Sequence, residues 1–173
     1  MTDFRIARRG LLVLMIAGAA ITVGHHHHWR PHAQTATLSG QALVIDGDTI
    51  VIGEVHVRLF GIDAPETDQT CIDESGDDYR CGLLATALLE EEIAGRPVTC
   101  FPTGVDHYGR TIATCEVAGR DLGDWMVRRG FAIAYLRYST KYADAEIEAR
   151  RAKRGIWAGN FENPEDWRHR GNR

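Results

Sequence analysis

The sequence predicts an α+β fold, a small barrel-like sheet with helices packed at one side, and three observations carry that expectation. Short runs rich in β-branched and alternating apolar residues come first, between residues 37 and 61. Runs with helical periodicity begin at residue 82, and glycine or proline marks most boundaries. Strands first and helices later is the order of a segregated α+β chain. At 173 residues and 44% hydrophobic content, the chain can bury one ordinary core and not two. Charged residues make up 25% without strong bias and no internal repeat is visible, so disorder is not expected beyond the ends.

Each element has a local reason. Thr37 to Ile45, Thr49 to Ile52 and Val55 to Gly61 read as strands. Gly53-Glu54 is a two-residue turn candidate, and Val55, Val57 and Leu59 alternate with His56, Arg58 and Phe60, so the last two strands form a hairpin. Pairing Ile52 with Val55 puts Asp46 and Asp48 at the same hairpin end as Asp63, so distant carboxylates converge there. Gly82 to Ala94 is a helix with an apolar face of Leu84, Ala87, Leu88 and Ile93, ended by Gly95 and Pro97. Val98 to Phe101 and Thr111 to Val117 are strands flanking the polar segment Thr103 to Arg110. Ala118-Gly119 turns the chain into a short helix, Leu122 to Arg129, stopped by Gly130. A last strand, Phe131 to Leu136, precedes an amphipathic, charge-rich helix from Tyr142 to Lys153.

The N-terminus differs in kind. Arg5, Arg8 and Arg9 precede the nearly uncharged stretch Gly10 to Gly24, the basic and apolar regions of an export signal. Fifteen residues fall short of the roughly 20 needed to span a bilayer, which favours cleavage over anchoring. Ala17, Ala19 and Ala20 lie too early for a good cleavage site, so an uncleaved membrane tether stays open. The Arg8-Arg9 pair before Leu11 and Leu12 also fits twin-arginine export, alongside the general route. Residues 1–24 are thus a signal peptide or anchor, 25–35 a His-rich polar linker, 36–160 the folded domain and 161–173 a C-terminal tail. Export, to the periplasm, the exterior or the inner membrane surface, is expected, with a monomer as the soluble form.

Four cysteines lie beyond the signal, and an even count in an exported chain points to disulfides, with three possible connectivities. Cys71 and Cys81 bracket a polar loop, while Cys100 and Cys115 sit in two strand-like runs, so pairs 71–81 and 100–115 are preferred. Zinc is the rival, but no pair has C-x2-C spacing.

The chemistry is written in three segments: VIDGDT with Asp46 and Asp48, VRLFGIDAPE with Arg58, Asp63 and Glu66, and DHYGR ending in Arg110. Alone, Asp46-Gly47-Asp48-Thr49 is a turn and Arg58 a surface or ion-paired arginine. Several hard oxygen ligands converging in a small volume repel one another unless a cation lies between them, and calcium fits best because no cysteine or histidine of suitable spacing joins them. An arginine beside such a cation makes a phosphate pocket, since guanidinium recognises phosphate through a planar fork.

In this order and with comparable gaps, the three segments resemble the signature of the staphylococcal nuclease (thermonuclease) family, and MVRRGFA and RRAKRGIW are similar to its later segments. The resemblance covers about Ala36 to Trp157 and implies a five-stranded OB-type barrel with about three helices. It implies calcium-dependent hydrolysis of DNA or RNA, with the P–O5′ bond broken and 3′-phosphate ends left. By it, Asp48 and Asp63 would bind calcium through their carboxylates and Ala64 through its carbonyl, with Asp46 an outer-shell carboxylate. Arg58 and Arg110 would hold the scissile phosphate, and Glu66 would activate or orient water. Tyr108 resembles a nucleotide-contacting tyrosine, with His107 where the family has a basic residue; Tyr135 and Tyr138 are weaker matches for substrate contacts.

Charge sets a limit on substrate binding. The net charge is −4, and residues 1–30 carry four arginines against one aspartate, leaving about −7 beyond them. That balance disfavours approach of a polyanion, so modest affinity is expected. Two other readings compete: a non-catalytic nucleic-acid-binding module on the same fold, and an envelope or exopolysaccharide role of the kind attached to some bacterial relatives. Retention of Asp46, Asp48, Arg58, Asp63, Glu66 and Arg110 argues against the first. Unexplained arginines argue against sugar chemistry in the second.

Overall fold

The computed structural model describes residues 36–170. The expected export segment and His-rich linker, and the last three residues, lie outside the described residues. In chain order the elements are β1 (Leu38–Gly40), β2 (Ala42–Val44), β3 (Thr49–Ile52), β4 (Val55–Leu59), β5 (Ile62–Asp63), β6 (Cys71–Ile72) and β7 (Asp78–Tyr79). Then come α1 (Cys81–Ile93), β8 (Val98–Val105), β9 (Thr111–Val117), β10 (Arg120–Asp121), α2 (Leu122–Arg129), β11 (Ile133–Ala134) and α3 (Ala143–Arg151). A 3-10 turn, Gly155–Ala158, and a short helix α4 (Pro164–Arg170) complete the described chain.

The main sheet runs β1-β8-β9-β4-β3-β2, with β10 added to β9. β1 and β2 are two halves of the one run expected from Thr37 to Ile45, broken at Gln41. Because β1 pairs with β8 while β2 pairs with β3, this run touches both ends of the path and the sheet curls round on itself. Counting that run once leaves five strands, the OB-type arrangement, and curling protects edges that would otherwise be open. The hairpin has the expected register, with Ile52 opposite Val55 and Thr49 opposite Arg58. Gly53 takes a positive φ of 61°, which suits the first central position of a two-residue hairpin turn. β4 then runs parallel to β9, setting Val57 against Thr111 and so bringing the loop end at Arg110 beside Arg58.

Alternation along β4 separates two jobs. Val57 and Leu59 point into a core with Ile50, Val98, Ala113 and Val117, while Arg58 projects to the other side. Helices close the core with Leu89 and Ile93 of α1 and Leu122, Met126 and Val127 of α2. Each such side chain, fully buried, contributes roughly 1.5–3 kcal/mol. Asp121 caps α2 by accepting from the amides of Gly123 (2.9 Å) and Asp124 (3.1 Å), and its carboxylate also accepts the buried Tyr142 hydroxyl at 3.0 Å. One residue therefore joins β10, α2 and the start of α3. The disulfides pair Cys71 with Cys81 and Cys100 with Cys115, the second joining residues directly opposite on β8 and β9.

Several elements differ from expectation, and β8 runs on through Val105 where a polar segment was expected from Thr103. The buried face of α1 is Ala85, Leu89 and Ile93, with Leu84 and Ala87 exposed, so the helix is rotated by about one residue from the predicted face. Its first turn fixes that rotation: a Cβ on Gly82 would lie 1.6 Å from the Glu66 carbonyl oxygen, so only glycine lets the helix start against that loop. The strand expected from Phe131 to Leu136 shrinks to Ile133–Ala134, because the Phe131 amide turns back to the Met126 carbonyl (2.9 Å) as a helix cap. Finally, the stretch read as a tail from residue 161 carries α4.

Gly82→Ala should therefore destabilise the protein by about 1–3 kcal/mol, the usual cost of overpacking a tight contact. Urea unfolding checks this. A midpoint equal to wild type would show that the helix start does not pin the Glu66 loop.

Candidate active site

The site begins as a turn. The amides of Ile45 and Asp46 both donate to the Thr49 carbonyl, at 2.9 and 3.3 Å, and the Asp46 carboxylate accepts the Asp48 amide at 3.0 Å. Asp48 is thereby turned inward, 6% exposed. Its Oδ2 accepts the Ala64 amide at 2.7 Å, and its carbonyl accepts the Leu59 amide at 2.8 Å, so the turn is stitched to the far end of the hairpin. Asp63 closes β5 with 0% exposure. Behind it Ile133 pairs with Asp63, and the buried Glu146 of α3 accepts the Ala134 amide at 2.6 Å, which stiffens the two-stranded backing.

Between the two aspartates lies Arg58. Its guanidinium pairs with Asp48 through one nitrogen and donates to Asp63 Oδ1 at 2.8 Å through the other. Burial alone would lower its pKa, but Asp48, Asp63 and Asp46 together hold it above the ordinary value. For Asp63, burial pushes the carboxyl up most strongly and Asp48 adds to this, against the hydrogen bond and charge of Arg168 and the charge of Arg58. Burial, and then the Asp48 charge, push Asp46 up to about 6. Carboxylates outnumber cations here, and hard oxygens in excess are what a hard dication relieves. In charge and donor type the group fits calcium. Among the described residues, however, no three side chains stand as a ready metal cage; the carboxylates are closed on guanidinium groups instead.

The other expected residues line the same cleft, about 930 Å³ in volume. Arg110 is steered by Asp106, which accepts its Nε at 2.7 Å and its amide at 2.9 Å; one terminal nitrogen reaches the Thr49 hydroxyl at 3.5 Å. The same Asp106 oxygen that takes the Arg110 amide takes that of Tyr108 (2.9 Å), which explains the shape of the DHYGR loop. Tyr108 stands 74% exposed with the Arg110 guanidinium over its ring at 5.4 Å. Tyr135 and Tyr138 meet edge to face at 4.8 Å and line the same cleft. Glu66 also lines the cleft, and Ala64 enters through the amide that holds Asp48.

One charged residue escaped the sequence reading. Arg168 of α4 donates to both oxygens of Asp63, at 2.9 and 3.0 Å, and to Glu66 Oε1 at 2.7 Å. The helix itself was legible: Asn163 before Pro164 is a start signal, acidic Glu165 and Asp166 follow, and the Asn163 side chain accepts the Glu165 amide at 2.9 Å. The approach of residue 168 to residues 63 and 66 carries no local signal.

The raised Asp46 pKa has a consequence for stability without metal. The folded chain holds this proton more tightly than the unfolded one, so the group's contribution is fully present below about pH 4 and lost as pH rises through about 6. Asp46→Asn keeps the oxygen that accepts the Asp48 amide and cannot ionise. In chelator, the variant should exceed wild type in stability at pH 8 and match it at pH 4 by thermal unfolding; a constant difference across that range refutes the assignment.

Similarity to known proteins points to one family. The family model described as Staphylococcal nuclease homologue matches residues 56–159. "Succinoglycan biosynthesis protein ExoI" of Rhizobium meliloti is 42% identical over 127 residues, 72% of this chain and 66% of that protein. An "Uncharacterized endonuclease" of Escherichia coli is 36% identical over 135 residues, 73% of this chain and 82% of that protein. "Probable endonuclease LCL3" of Paracoccidioides brasiliensis is 32% identical over 137 residues, 67% of this chain and only 39% of the fungal protein. A curled five-stranded barrel, the Asp48–Arg58–Asp63 cluster at its hairpin end and a family match over most of the described fold together place this chain in the staphylococcal nuclease homologue family.

Proposed function

We propose that the chain is a calcium-dependent phosphodiesterase that hydrolyses DNA or RNA. The observation that carries this reading is the convergence of Arg58, Arg110 and Glu66 on one cleft with the buried Asp48 and Asp63. Two of the relatives reported above bear the name endonuclease, which supports the same reading.

Calcium, when bound by Asp48, Asp63 and the Ala64 carbonyl, supplies positive charge for the phosphate oxygens. The residues supply the rest. Arg58 and Arg110 present guanidinium N–H groups to the non-bridging oxygens, whose negative charge grows as water approaches phosphorus. Glu66 accepts a proton from that water as the new P–O bond forms. The P–O5′ bond then breaks in line, its electron pair leaves with O5′, and solvent protonates that oxygen, so the product carries a 3′-phosphate. Tyr108, Tyr135 and Tyr138 offer ring faces on the rims for the flanking nucleotides. Two disulfides favour an oxidising compartment, in keeping with export.

A role in exopolysaccharide assembly has one observation in its favour, the name of the Rhizobium relative. Glycoside hydrolysis needs only a carboxylate pair, which leaves the guanidinium groups of the cleft without a task.

Arg110→Lys keeps a charge and loses the planar fork, and Glu66→Gln loses the proton acceptor. Each should lower kcat by on the order of 10²-fold, with folding retained by circular dichroism. Arg58→Lys should cost activity and also stability, because the buried Asp48 and Asp63 share its fork. Wild-type rates in folded Arg110→Lys and Glu66→Gln variants would sink the nuclease reading; binding of nucleic acid by wild type without cleavage would favour the binding module.

Metal removal gives a separate test. Calcium at 100 times its Kd should raise stability by about 2.7 kcal/mol, read as a higher Tm, and chelation should abolish cleavage. Undiminished cleavage after exhaustive chelation would show that the carboxylates serve another purpose.

A further inference from the structure

The acidic, disulfide-closed loop between Cys71 and Cys81 has no task in the reaction above, yet the C-terminal segment is built onto it. Ile72 and Asn160 exchange backbone hydrogen bonds at 2.8 and 2.9 Å. Trp157 and Phe161 pack on a small apolar cluster of Cys71, Cys81, Ile133 and Ile156, separate from the barrel core. Beyond it, the Trp167 indole donates to Asp68 at 3.1 Å, and Arg137 pairs with Glu165 at 3.0 Å. Gln69 is the joint. It is fully buried, accepts the Glu66 amide at 3.1 Å and donates to the Glu162 carbonyl at 2.7 Å, so one side chain ties the backbone of the water-orienting residue to the C-terminal segment.

This docking delivers Arg168. Its fork spans both oxygens of Asp63 and Oε1 of Glu66, and Glu66 Oε2 has no hydrogen-bond partner among the described residues. Without that guanidinium, two carboxylates would face each other across the cleft wall, and the Glu66 side chain, 33% exposed, would be free to swing toward solvent. A lysine would keep the charge without the full grip, since its one nitrogen cannot replace the two guanidinium nitrogens set against the two oxygens of Asp63.

We infer that Arg168 is a positioning residue of the reaction, holding the Glu66 carboxylate in place through a C-terminal segment that the 71–81 loop anchors as a wall of the active site. The role rests on the nuclease reading. Arg168 acts through Glu66, so its loss should matter only while Glu66 can accept a proton.

The test uses the full, oxidised chain, a DNA substrate and saturating calcium. Arg168→Gln should lower kcat by about 10-fold or more, as a misplaced catalytic group does, with KM changed by less than about 2-fold. Arg168→Lys, which keeps the charge beside Asp63 and so guards against simple unfolding, should recover part of the loss. Adding Arg168→Gln to Glu66→Gln should cost less than about 2-fold more, because residues acting as one unit are not additive. The loss should persist at saturating calcium, where any change in calcium affinity through the Arg168 bonds to Asp63 no longer affects kcat. Full multiplicative costs in the double variant would overturn the positioning role. So would tighter calcium binding with kcat retained in Arg168→Gln, which would make Arg168 a competitor of the cation. A wild type that never cuts would fail the nuclease reading and this role with it. A cutting wild type matched by both Arg168 variants would fail this role alone.

Discussion

The Asp63 carboxylate is the constraint on which the rest depends. It has no exposure to water, and a charge so placed costs several kcal/mol unless it is paired and hydrogen-bonded. Two guanidinium groups provide the partners, Arg58 from the hairpin and Arg168 from the last helix. Arg58 is a near neighbour in sequence, but Arg168 is not, so the C-terminal segment must dock before Asp63 has both partners. The backing follows the same logic: β5 holds Asp63, β11 holds β5, and the buried Glu146 holds β11.

Arg58 and Arg110 are held differently. Arg58 stands on a strand whose neighbours fill the core, and two buried aspartates fix the direction of its guanidinium group. Arg110 leaves a loop shaped by Asp106 and is only partly buried, with Tyr108 beside it in solvent. The first is placed by the fold and the second by a local turn. For an acidic protein this division matters, because the overall field repels a polyanion and attraction must come from a few aimed cations. Tyrosine rims add contacts that do not depend on charge.

The 71–81 loop illustrates how a short disulfide can serve a distant site. Its sequence, acidic and polar, looks like a surface insertion. In the fold it is the platform on which Trp157, Phe161 and the backbone of Asn160 settle, and Gln69 beside it reaches both the Glu66 backbone and the C-terminal chain. A loop that touches no catalytic group directly thus supports the wall of the cleft.

What the sequence determined by itself is whatever short-range chemistry decides. A two-residue turn at Gly53-Glu54 sets the hairpin register, register alone gathers Asp46, Asp48 and Asp63 at one end, and alternation along β4 turns Arg58 away from Val57 and Leu59. Cysteine placement, helix stops at Gly95 and Gly130 and the DHYGR turn were legible for the same reason: each depends on a few neighbouring residues. Tertiary structure decided the remainder. The rotation of α1 depends on a close approach to the Glu66 carbonyl, a contact with no local mark, and the strand after Phe131 is cut short by a cap on the preceding helix. Arg168 is the clearest case, since more than a hundred residues separate it from the carboxylates it holds, and only closure of the barrel and docking of the C-terminal segment bring them together.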